Sequence, residues 1–377
     1  MMKIDQFQPY LDESDFLALK ESFDTKWITE GPKSKEFSEK LCNLIGAKHG
    51  VFASNGTIAL YLGLRAVGVG RGDEVIVPNF TFIASANAVE MCGAKPVFVD
   101  INKDLQINVK DCNRVLNRKT KAIMPVHVFG MSANMGEVMK FANKNNLKVV
   151  EDAAQGIGIT WNDKHVGSFG DVGCFSFFAD KTITTGEGGF VVTNDDKIYE
   201  NMLYLRNQGR LKRGSFVHPQ IGYNFRLTDI QSSLGLNQLR KLKTIIKKKI
   251  NILDHYKKRF SDLESVEIIE SDVRSNHIPF RVVIKCKHNV EDLMKHLKES
   301  GVEIRNVFYP LHKQPCYKNN GKKWLFFNKN DDKFFKESIN AYETCLCLPS
   351  FPDLKVKQIN YVCKIIRNYY DTRPPHE

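Results

Sequence analysis

From residue 48 onward, short apolar runs alternate with longer segments of helical periodicity. The runs HGVFASNG, DEVIVPN, KPVFVDI, KAIMPVHV and LKVVEDAA are apolar at successive positions, as strands are when both of their faces are covered. Helices are predicted between them, for example in TIALYLGLRAVGV, from near Phe82, and around 109–116 and 135–143. DVGCFSFF and GGFVVTN add two further strands. This alternation predicts an α/β domain with a mostly parallel sheet.

The character of the chain changes near its middle. Residues 239–260, LRKLKTIIKKKINILDHYKKRF, predict one long amphipathic helix with its lysines facing solvent, because apolar residues recur at spacings of three and four: Leu239, Leu242, Ile246, Ile250, Leu253 and Tyr256. Beyond it, VEIIESD, HIPFRVVIKC, NVEDLMKHLKESG and VEIRNVFYP predict a smaller α+β unit. We therefore predict a large domain of residues 1–245 and a small C-terminal domain of residues 246–377. The final DTRPPHE is expected to be frayed.

Composition excludes several classes of protein. The net charge of +12 lies largely in the basic helix, and no aromatic-rich basic motif or helix-turn-helix pattern accompanies it, so we expect no nucleic-acid partner. No apolar run is long enough to predict a membrane span, and the N-terminus does not resemble a signal peptide. The nine scattered cysteines fit neither a zinc spacing nor a disulfide framework. We therefore expect a cytoplasmic protein with reduced, mostly buried thiols and no metal.

Three motifs lie at the ends of predicted strands, where ligands bind in open α/β sheets. In SNGTIAL, Gly56 and Thr57 open a helix whose N-terminus suits a phosphate, although an ordinary helix cap explains the motif equally well. In VVEDAAQ, Asp152 ends an apolar strand and Gln155 follows it. A buried carboxylate there needs a partner, and a helix cap or a salt bridge is the alternative to a functional role.

The third motif is ADKTITTGEGG, which places Lys181 between two apolar strands. A lysine in a confined site has a lowered pKa and becomes a nucleophile toward carbonyl groups, whereas an isolated loop lysine is more often a surface residue. A phosphate cradle, a strand-end carboxylate and a lysine in one α/β domain are together what pyridoxal 5′-phosphate requires.

The sequence resembles the DegT/DnrJ/EryC1/StrS family of nucleotide-sugar aminotransferases. Seven blocks carry the resemblance in the family's order: WITEGPKSKEFSEKL, SNGTIALYLGLRAVGVGRGDEVIVPNFTFIASANAV, VEDAAQGIG, VGSFGDVGCFSFFADKTITTGEGGFVVTND, GYNFRLTDIQSSLGLNQL, FYPLHKQPCY and LPSFPDL. They cover nearly the whole chain. The resemblance implies the aspartate-aminotransferase type of fold (fold type I), with a large cofactor-binding domain and a smaller C-terminal α+β domain.

The resemblance also implies pyridoxal 5′-phosphate as the cofactor and assigns its contacts. Lys181 matches the lysine that forms the Schiff base, and Asp152 matches the carboxylate paired with the pyridinium nitrogen. The remaining implied contacts are Gly56, Thr57 and Ser176 at the phosphate, Phe82 stacked on the ring, and Gln155 near the ring hydroxyl.

Other matched positions imply partners. Asn224, in GYNFR, matches an asparagine that reaches the phosphate from the partner subunit, which implies a homodimer with shared active sites. The blocks WITEGP and FYPLH help shape the sugar or active-site region through Thr29, Gly31, Tyr309 and His312.

The residue at position 181 also bears on the reaction. Some related sugar dehydratases have histidine there, so lysine favours transamination, and the TITTGEGG that follows is similar to the branch that aminates C4 of 4-keto-6-deoxy sugars, such as perosamine synthases. The resemblance implies a ping-pong reaction in which Lys181 is the general base and glutamate donates the amino group to a nucleotide-diphosphate keto-sugar. Asp180 departs from the asparagine that those relatives often have. A sugar dehydratase and a non-catalytic sensor or regulator on the same fold are the alternatives at this stage.

Overall fold

The structure is a computed structural model that describes residues 2–210, 214, 216–318 and 331–372. Strands and helices alternate from His49 onward, as the hydrophobic pattern predicts. The strands are β1 (His49–Ala53), β2 (Glu74–Pro78), β3 (Lys95–Val99), β4 (Thr120–Ile123), β5 (Lys148–Asp152), β6 (Thr160–Trp161), β7 (Lys164–His165), β8 (Val172–Ser176), β9 (Gly189–Thr193), β10 (Val266–Ile268), β11 (Val282–Cys286), β12 (Arg305–Asn306) and β13 (Cys345–Leu348).

The helices pack around these strands. They are α1 (Glu13–Asp24), α2 (Pro32–Ile45), α3 (Gly56–Ala66), α4 (Ala84–Met91), α5 (Val109–Val115), α6 (Met135–Lys144), α7 (Asp196–Arg206), α8 (Asp229–Phe260), α9 (Glu291–Glu299), α10 (Pro315–Lys318), α11 (Lys336–Thr344) and α12 (Val356–Asp371). Short 3₁₀ turns lie at Val128–Gly130, Leu311–Lys313 and Asp331–Phe334.

Seven strands form the main sheet, in the order β1-β9-β8-β5-β4-β2-β3. The pairs from β8 through β5, β4 and β2 to β3 are parallel, and only β9 pairs antiparallel with its neighbours β8 and β1. The strands are buried along most of their length because helices cover the sheet. The predicted mostly parallel α/β sheet is confirmed, and its parallel strands end at one edge, where Asp152 closes β5 and Ser176 closes β8.

A second sheet of four antiparallel strands, in the order β10-β11-β13-β12, forms the smaller α+β unit that the sequence predicts. The strand β13 was not predicted, although its apolar run Cys345–Leu348 is fully buried. Helices α9 and α12 pack beside this sheet, and Ile4 from the N-terminus joins the same hydrophobic core. The predicted boundary at residue 245 falls inside α8 and stays a prediction.

The long basic helix is also confirmed, but one of its lysines is buried, although all of them were predicted to face solvent. The exposed Lys243 and Lys247 do face solvent. Lys249, in contrast, is only 3% exposed and lies on the buried stripe of α8. Its ammonium group donates a hydrogen bond to the carbonyl oxygen of Pro279 at 3.1 Å. The prediction that the lysines of this helix form its solvent face is therefore wrong at position 249.

Other expectations can be compared with the same structure. Eight of the nine cysteines are buried, as predicted, and Cys316 is exposed. Within the described ranges, no helix combines the length and the apolar character needed to cross a membrane. Of the predicted frayed segment DTRPPHE, residues 373–377 lie outside the described residues.

Candidate active site

A cavity of about 710 Å³ opens at the carboxyl ends of the parallel strands, where the small sheet faces the main one. This volume is typical of small-molecule sites. It is lined by seven of the residues predicted from the sequence to contact the cofactor: Gly56, Thr57, Phe82, Asp152, Gln155, Ser176 and Lys181. The cavity therefore brings together residues from four separate stretches of the sequence, 56–57, 82, 152–155 and 176–181, as the combined motifs predicted.

The first wall of the cavity is the N-terminus of α3. Asn55 caps this helix, its side-chain oxygen accepting a hydrogen bond from the Ile58 N–H at 3.0 Å. Gly56 follows, and a Cβ atom at this position would lie 2.8 Å from the Cβ of Ser176, so only glycine permits this close approach. The free N–H groups of the first helical turn and the hydroxyls of Thr57 and Ser176 make this wall suitable for a phosphate.

Asp152 lies on a second wall at the end of β5 and is 4% exposed. Its Oδ2 accepts a hydrogen bond from the Ser85 hydroxyl at 2.7 Å, and its Oδ1 accepts one from the Ala154 N–H at 3.1 Å. Burial raises the pKa of Asp152, while these two hydrogen bonds and the positive charge of Lys181 act in the opposite direction. A protonated ring nitrogen would supply the cationic partner that this buried carboxylate needs.

Two side chains beside Asp152 have fixed orientations. The amide oxygen of Gln155 accepts a hydrogen bond from the Phe129 N–H at 2.5 Å, which leaves its NH2 group as the donor toward the cavity. His127 is fully buried, and its Nδ1 accepts a hydrogen bond from the Ala133 N–H at 3.2 Å. The proton of this ring therefore lies on Nε2, which is 3.1 Å from the carboxylate of Glu151. A ring hydroxyl near Gln155 would thus meet a fixed donor.

Lys181 lies in the loop between β8 and β9, and hydroxyl groups hold this loop in place. The Thr184 hydroxyl donates to the Phe177 carbonyl at 3.1 Å and accepts a hydrogen bond from the Gly186 N–H at 2.9 Å. Gly186 has a φ of 78°, a conformation that favours glycine. The threonines of this loop are buried, whereas Gly186 and Glu187 are exposed, so the threonine segment is a fixed support for Lys181.

The side chain of Lys181 is 16% exposed, and its amine lies above the ring of Phe280 at 4.6 Å from the centroid. Burial lowers the pKa of Lys181 below its ordinary value. The carboxylates of Asp180 and Asp152 oppose this change, whereas the guanidinium of Arg281 adds to it. A confined amine with a lowered pKa, facing a cavity, is the arrangement that a nucleophilic or general-base lysine requires.

Sequence reasoning missed several residues of the site. Arg281 and Arg305 bring positive charge to the cavity wall from the small sheet, and Phe308 lies beside Phe82 with ring centroids 6.4 Å apart. Ser85 was also missed, although it lies in a block quoted for the resemblance. Local motifs could not reveal the arginines, because these come from a part of the chain about a hundred residues beyond Lys181 and carry no strand-end signal.

Five nominated residues do not line this cavity. Thr29 and Gly31 lie before α2, where the Gly31 N–H donates to the Asp229 carboxylate at 2.8 Å. Asn224 pairs with Asn207 and accepts a hydrogen bond from Arg226 at 2.9 Å. The remaining two follow Phe308, with Tyr309 packed against Tyr342 and His312 buried against Asn79. Their proposed contacts with sugar or cofactor stay predictions.

The residues present fit pyridoxal 5′-phosphate. A helix N-terminus with hydroxyls, a buried carboxylate, a fixed amide donor and a confined lysine line one cavity. When bound, the cofactor supplies an aldehyde for amine chemistry and a ring that accepts the electron pair released at carbon. The fold and the site together define a pyridoxal-phosphate-dependent enzyme.

Comparison with known proteins agrees with this class and gives the family. The model of the DegT/DnrJ/EryC1/StrS aminotransferase family matches residues 9–367, and the chain belongs to this family. It is 38% identical to the GDP-perosamine synthase of Escherichia coli O157:H7, over 99% of this chain and 100% of that protein. The chain is therefore a pyridoxal-phosphate-dependent sugar aminotransferase.

Solved structures show the same architecture. Helicobacter pylori PseC, an aminotransferase involved in the biosynthesis of pseudoaminic acid, is 27% identical and has a TM-score of 0.91, with 99% of this chain and 100% of that chain covered. A Streptococcus pneumoniae protein solved in its PMP form is 25% identical with a TM-score of 0.91, and 98% of each chain is covered. The predicted fold and cofactor are confirmed.

Proposed function

We propose that this enzyme transfers an amino group from glutamate to C4 of a nucleotide-linked 4-keto-6-deoxy sugar. The observation that carries the proposal is that Lys181 and Asp152 line one cavity together with the N-terminus of α3, which suits a phosphate. The similarity to the GDP-perosamine synthase of Escherichia coli over the full chain supports a GDP-linked sugar as the first substrate to examine.

In this proposal, each group of cavity residues has a separate role in holding or using the cofactor. Gly56, Thr57 and Ser176 hold the phosphate of the cofactor, and Phe82 covers its ring. Asp152 keeps the ring nitrogen protonated, and Gln155 donates a hydrogen bond to the ring hydroxyl. Lys181 carries the cofactor at rest and, once released, moves the proton at the reacting carbon.

An arginine of the cavity wall supports anionic substrates. Arg305 lines the cavity, with its guanidinium 5.1 Å from the ring centroid of Phe7. An arginine at this place suits the carboxylate of an amino-acid donor or the diphosphate of a nucleotide sugar, because its planar guanidinium binds both kinds of oxyanion. The net charge of +12 adds a general attraction for such substrates.

We also propose a homodimer with shared active sites, and a cytoplasmic location. Phe216, Val217 and Ile221 are strongly exposed and immediately precede Asn224. An exposed apolar cluster of this kind is typical of a subunit interface. Asn224 would then reach the phosphate of the partner subunit's cofactor, and Thr29 and Gly31 would help shape the sugar or active-site region.

The substrate proposal is tested with the purified, cofactor-saturated enzyme and a panel of GDP-, UDP- and dTDP-linked 4-keto-6-deoxy and 3-keto sugars. Glutamate is the donor, with glutamine, aspartate and alanine in parallel. Mass spectrometry of the product distinguishes amination from dehydration. We expect amination of a GDP-linked 4-keto sugar with glutamate, and amination confined to 3-keto sugars would contradict the proposal.

The assignment of Lys181 is tested separately. Borohydride reduces the bond between the cofactor and its lysine, and peptide mapping then locates the label. We expect the label on Lys181. A label on any other lysine would contradict the proposed mechanism, whichever sugar is the substrate.

A further inference from the structure

A buried cluster of charges lies directly behind Lys181. The carboxylate of Asp180 accepts a hydrogen bond from the Arg281 guanidinium at Oδ2, over 2.8 Å. Its other oxygen, Oδ1, lies 3.9 Å from the amine of Lys181. The side chains of Asp180 and Arg281 are 11% and 5% exposed, so the pair is held away from bulk solvent.

The two oxygens of Asp180 are not equally satisfied. Oδ1 is buried and accepts no hydrogen bond from the part of the chain that the structure describes. A buried carboxylate oxygen without a partner is costly, and the amine of Lys181 lies just beyond hydrogen-bonding distance from it. A small rotation of the flexible lysine side chain closes this gap, whereas Asp180 itself is fixed by Arg281.

Arg281 is in turn fixed by aromatic side chains. Its guanidinium lies 4.3 Å from the ring centroid of Phe280 and 5.4 Å from that of Phe7. Phe280 also contacts the amine of Lys181, so both cations lie against the same ring. The arginine therefore clamps Asp180 from the small sheet and cannot follow the lysine when the lysine moves.

We propose that Asp180, held by Arg281, is a positioning residue that receives the ammonium group of Lys181 at Oδ1 whenever this lysine is not bonded to the cofactor. This inference rests on the role of Lys181 given under the proposed function. The lysine must leave the cofactor and return to it in every catalytic cycle, and a fixed acceptor behind it limits the positions that the free amine samples.

The charges around the lysine give the sign of the expected effects. Lys181 faces the carboxylates of Asp180 and Asp152 and the guanidinium of Arg281, and Lys249 lies near the same arginine. The negative charge of Asp180 favours the protonated form of Lys181, and the positive charge of Arg281 disfavours it. Loss of Asp180 should therefore lower the pKa of Lys181, and loss of Arg281 should raise it.

The experiment uses the enzyme loaded with pyridoxamine 5′-phosphate, in which Lys181 is a free amine. Acetic anhydride labels unprotonated amines, and peptide mass spectrometry follows the labelling rate of Lys181 against pH. In Asp180→Asn we expect the pKa of Lys181 to fall by at least about 1, so that labelling at neutral pH rises about tenfold. In Arg281→Met we expect the opposite change, and Arg281→Lys should restore the wild-type rate.

The labelling rate of Lys181 should rise in Asp180→Asn and fall in Arg281→Met. These opposite changes distinguish a positioning role from a purely structural one, because general loosening of the site would increase labelling in both variants. Asp353→Asn is the matched control, since Asp353 pairs with Lys248 at 2.8 Å on the surface and should leave the labelling of Lys181 unchanged. This inference alone is overturned if the pH dependence of Lys181 labelling is unchanged in Asp180→Asn while borohydride reduction still fixes the cofactor on Lys181. Attachment of the cofactor to another lysine overturns the proposed function as well.

Discussion

Lys181 and Lys249 are both largely removed from solvent, and they differ in what surrounds them. Lys181 extends from the β8–β9 loop into the cavity, where two carboxylates face it. Lys249 lies in the middle of α8, 3% exposed, and donates to a single main-chain carbonyl oxygen. Burial lowers the pKa of both side chains, and that of Lys249 to about 7, with a further contribution from Arg281.

The comparison shows that a lowered pKa does not by itself identify a catalytic amine. At neutral pH, Lys249 is closer to the uncharged, nucleophilic form than an ordinary lysine, yet it does not line the cavity. Lys181 has the cavity, the phosphate cradle and the opposing carboxylate of Asp152 in addition. Both amines are largely buried, and access to a ligand is what distinguishes Lys181 from Lys249.

The largest difference is expected when each lysine is removed. Lys181→Ala should reduce amino transfer by at least about 10³-fold, because it removes both the attachment point of the cofactor and the general base. The rate is measured by mass spectrometry of the sugar product, and borohydride should no longer fix the cofactor to the chain. Near-wild-type turnover in Lys181→Ala would show that Lys181 is neither the attachment point of the cofactor nor the general base.

A second prediction removes the carboxylate that distinguishes the surroundings of Lys181. Asp152→Asn should lower kcat about 10²-fold, since an amide cannot stabilise a protonated ring nitrogen as a carboxylate does. Steady-state kinetics at saturating cofactor give the value. Asp104→Asn is the control, because burial also raises the pKa of Asp104 but this residue does not line the cavity. Equal losses in the two variants would contradict the role of Asp152.

A smaller effect is expected from the support of Asp152. Ser85→Ala removes the hydrogen bond to Oδ2, which lowers the pKa of this carboxyl in the wild type. The variant should therefore lose activity about tenfold, and the acidic limb of its kcat/KM profile should move to higher pH. Ser132→Ala is the matched control, since this buried serine donates only to the Ala133 carbonyl and lies outside the cavity. An unshifted acidic limb would contradict the prediction.

The same two lysines show what the sequence reveals and what it does not. The positions of Asp152 and Lys181 follow from strand-end motifs, because the chain must turn at the carboxyl end of a buried strand. Arg281 could not be found in this way, because its place beside Asp180 depends on how the small sheet packs on the main one.

The error at Lys249 has a local cause. The predicted stripe of α8 passed through Ile246 and Ile250, which are only partly buried, whereas the buried stripe contains Leu242, Ile245, Lys249, Ile252 and Tyr256. Both series keep helical spacing and differ by a small rotation about the helix axis. A pattern of apolar residues cannot select a face that includes a lysine. The carbonyl of Pro279 on the opposing segment and the negative charge of Asp180 help to explain why the lysine is tolerated there.

The last prediction concerns stability and is expected to leave activity nearly unchanged. Lys249→Met replaces a buried amine by an apolar side chain of similar length, and amino transfer should stay within about threefold of the wild type because the residue lies outside the cavity. At pH 7 and below, the variant should be more stable than the wild type by up to about 4 kcal/mol, reduced by about 1 kcal/mol for the lost hydrogen bond.

The sign of this effect follows from proton binding. The pKa of Lys249 is about 7 in the folded chain and about 10.4 in the unfolded one, so between these values the unfolded state binds more protons and the wild type gains stability as pH rises. The advantage of Lys249→Met should therefore shrink by about 1.4 kcal/mol per pH unit above pH 7, as urea denaturation at pH 6.5, 8 and 9.5 would show. Lys247→Met, on the exposed face of the same helix, should show no such slope. A pH-independent difference would mean that Lys249 keeps an ordinary pKa, and the contrast with Lys181 would then rest on access to the cavity alone.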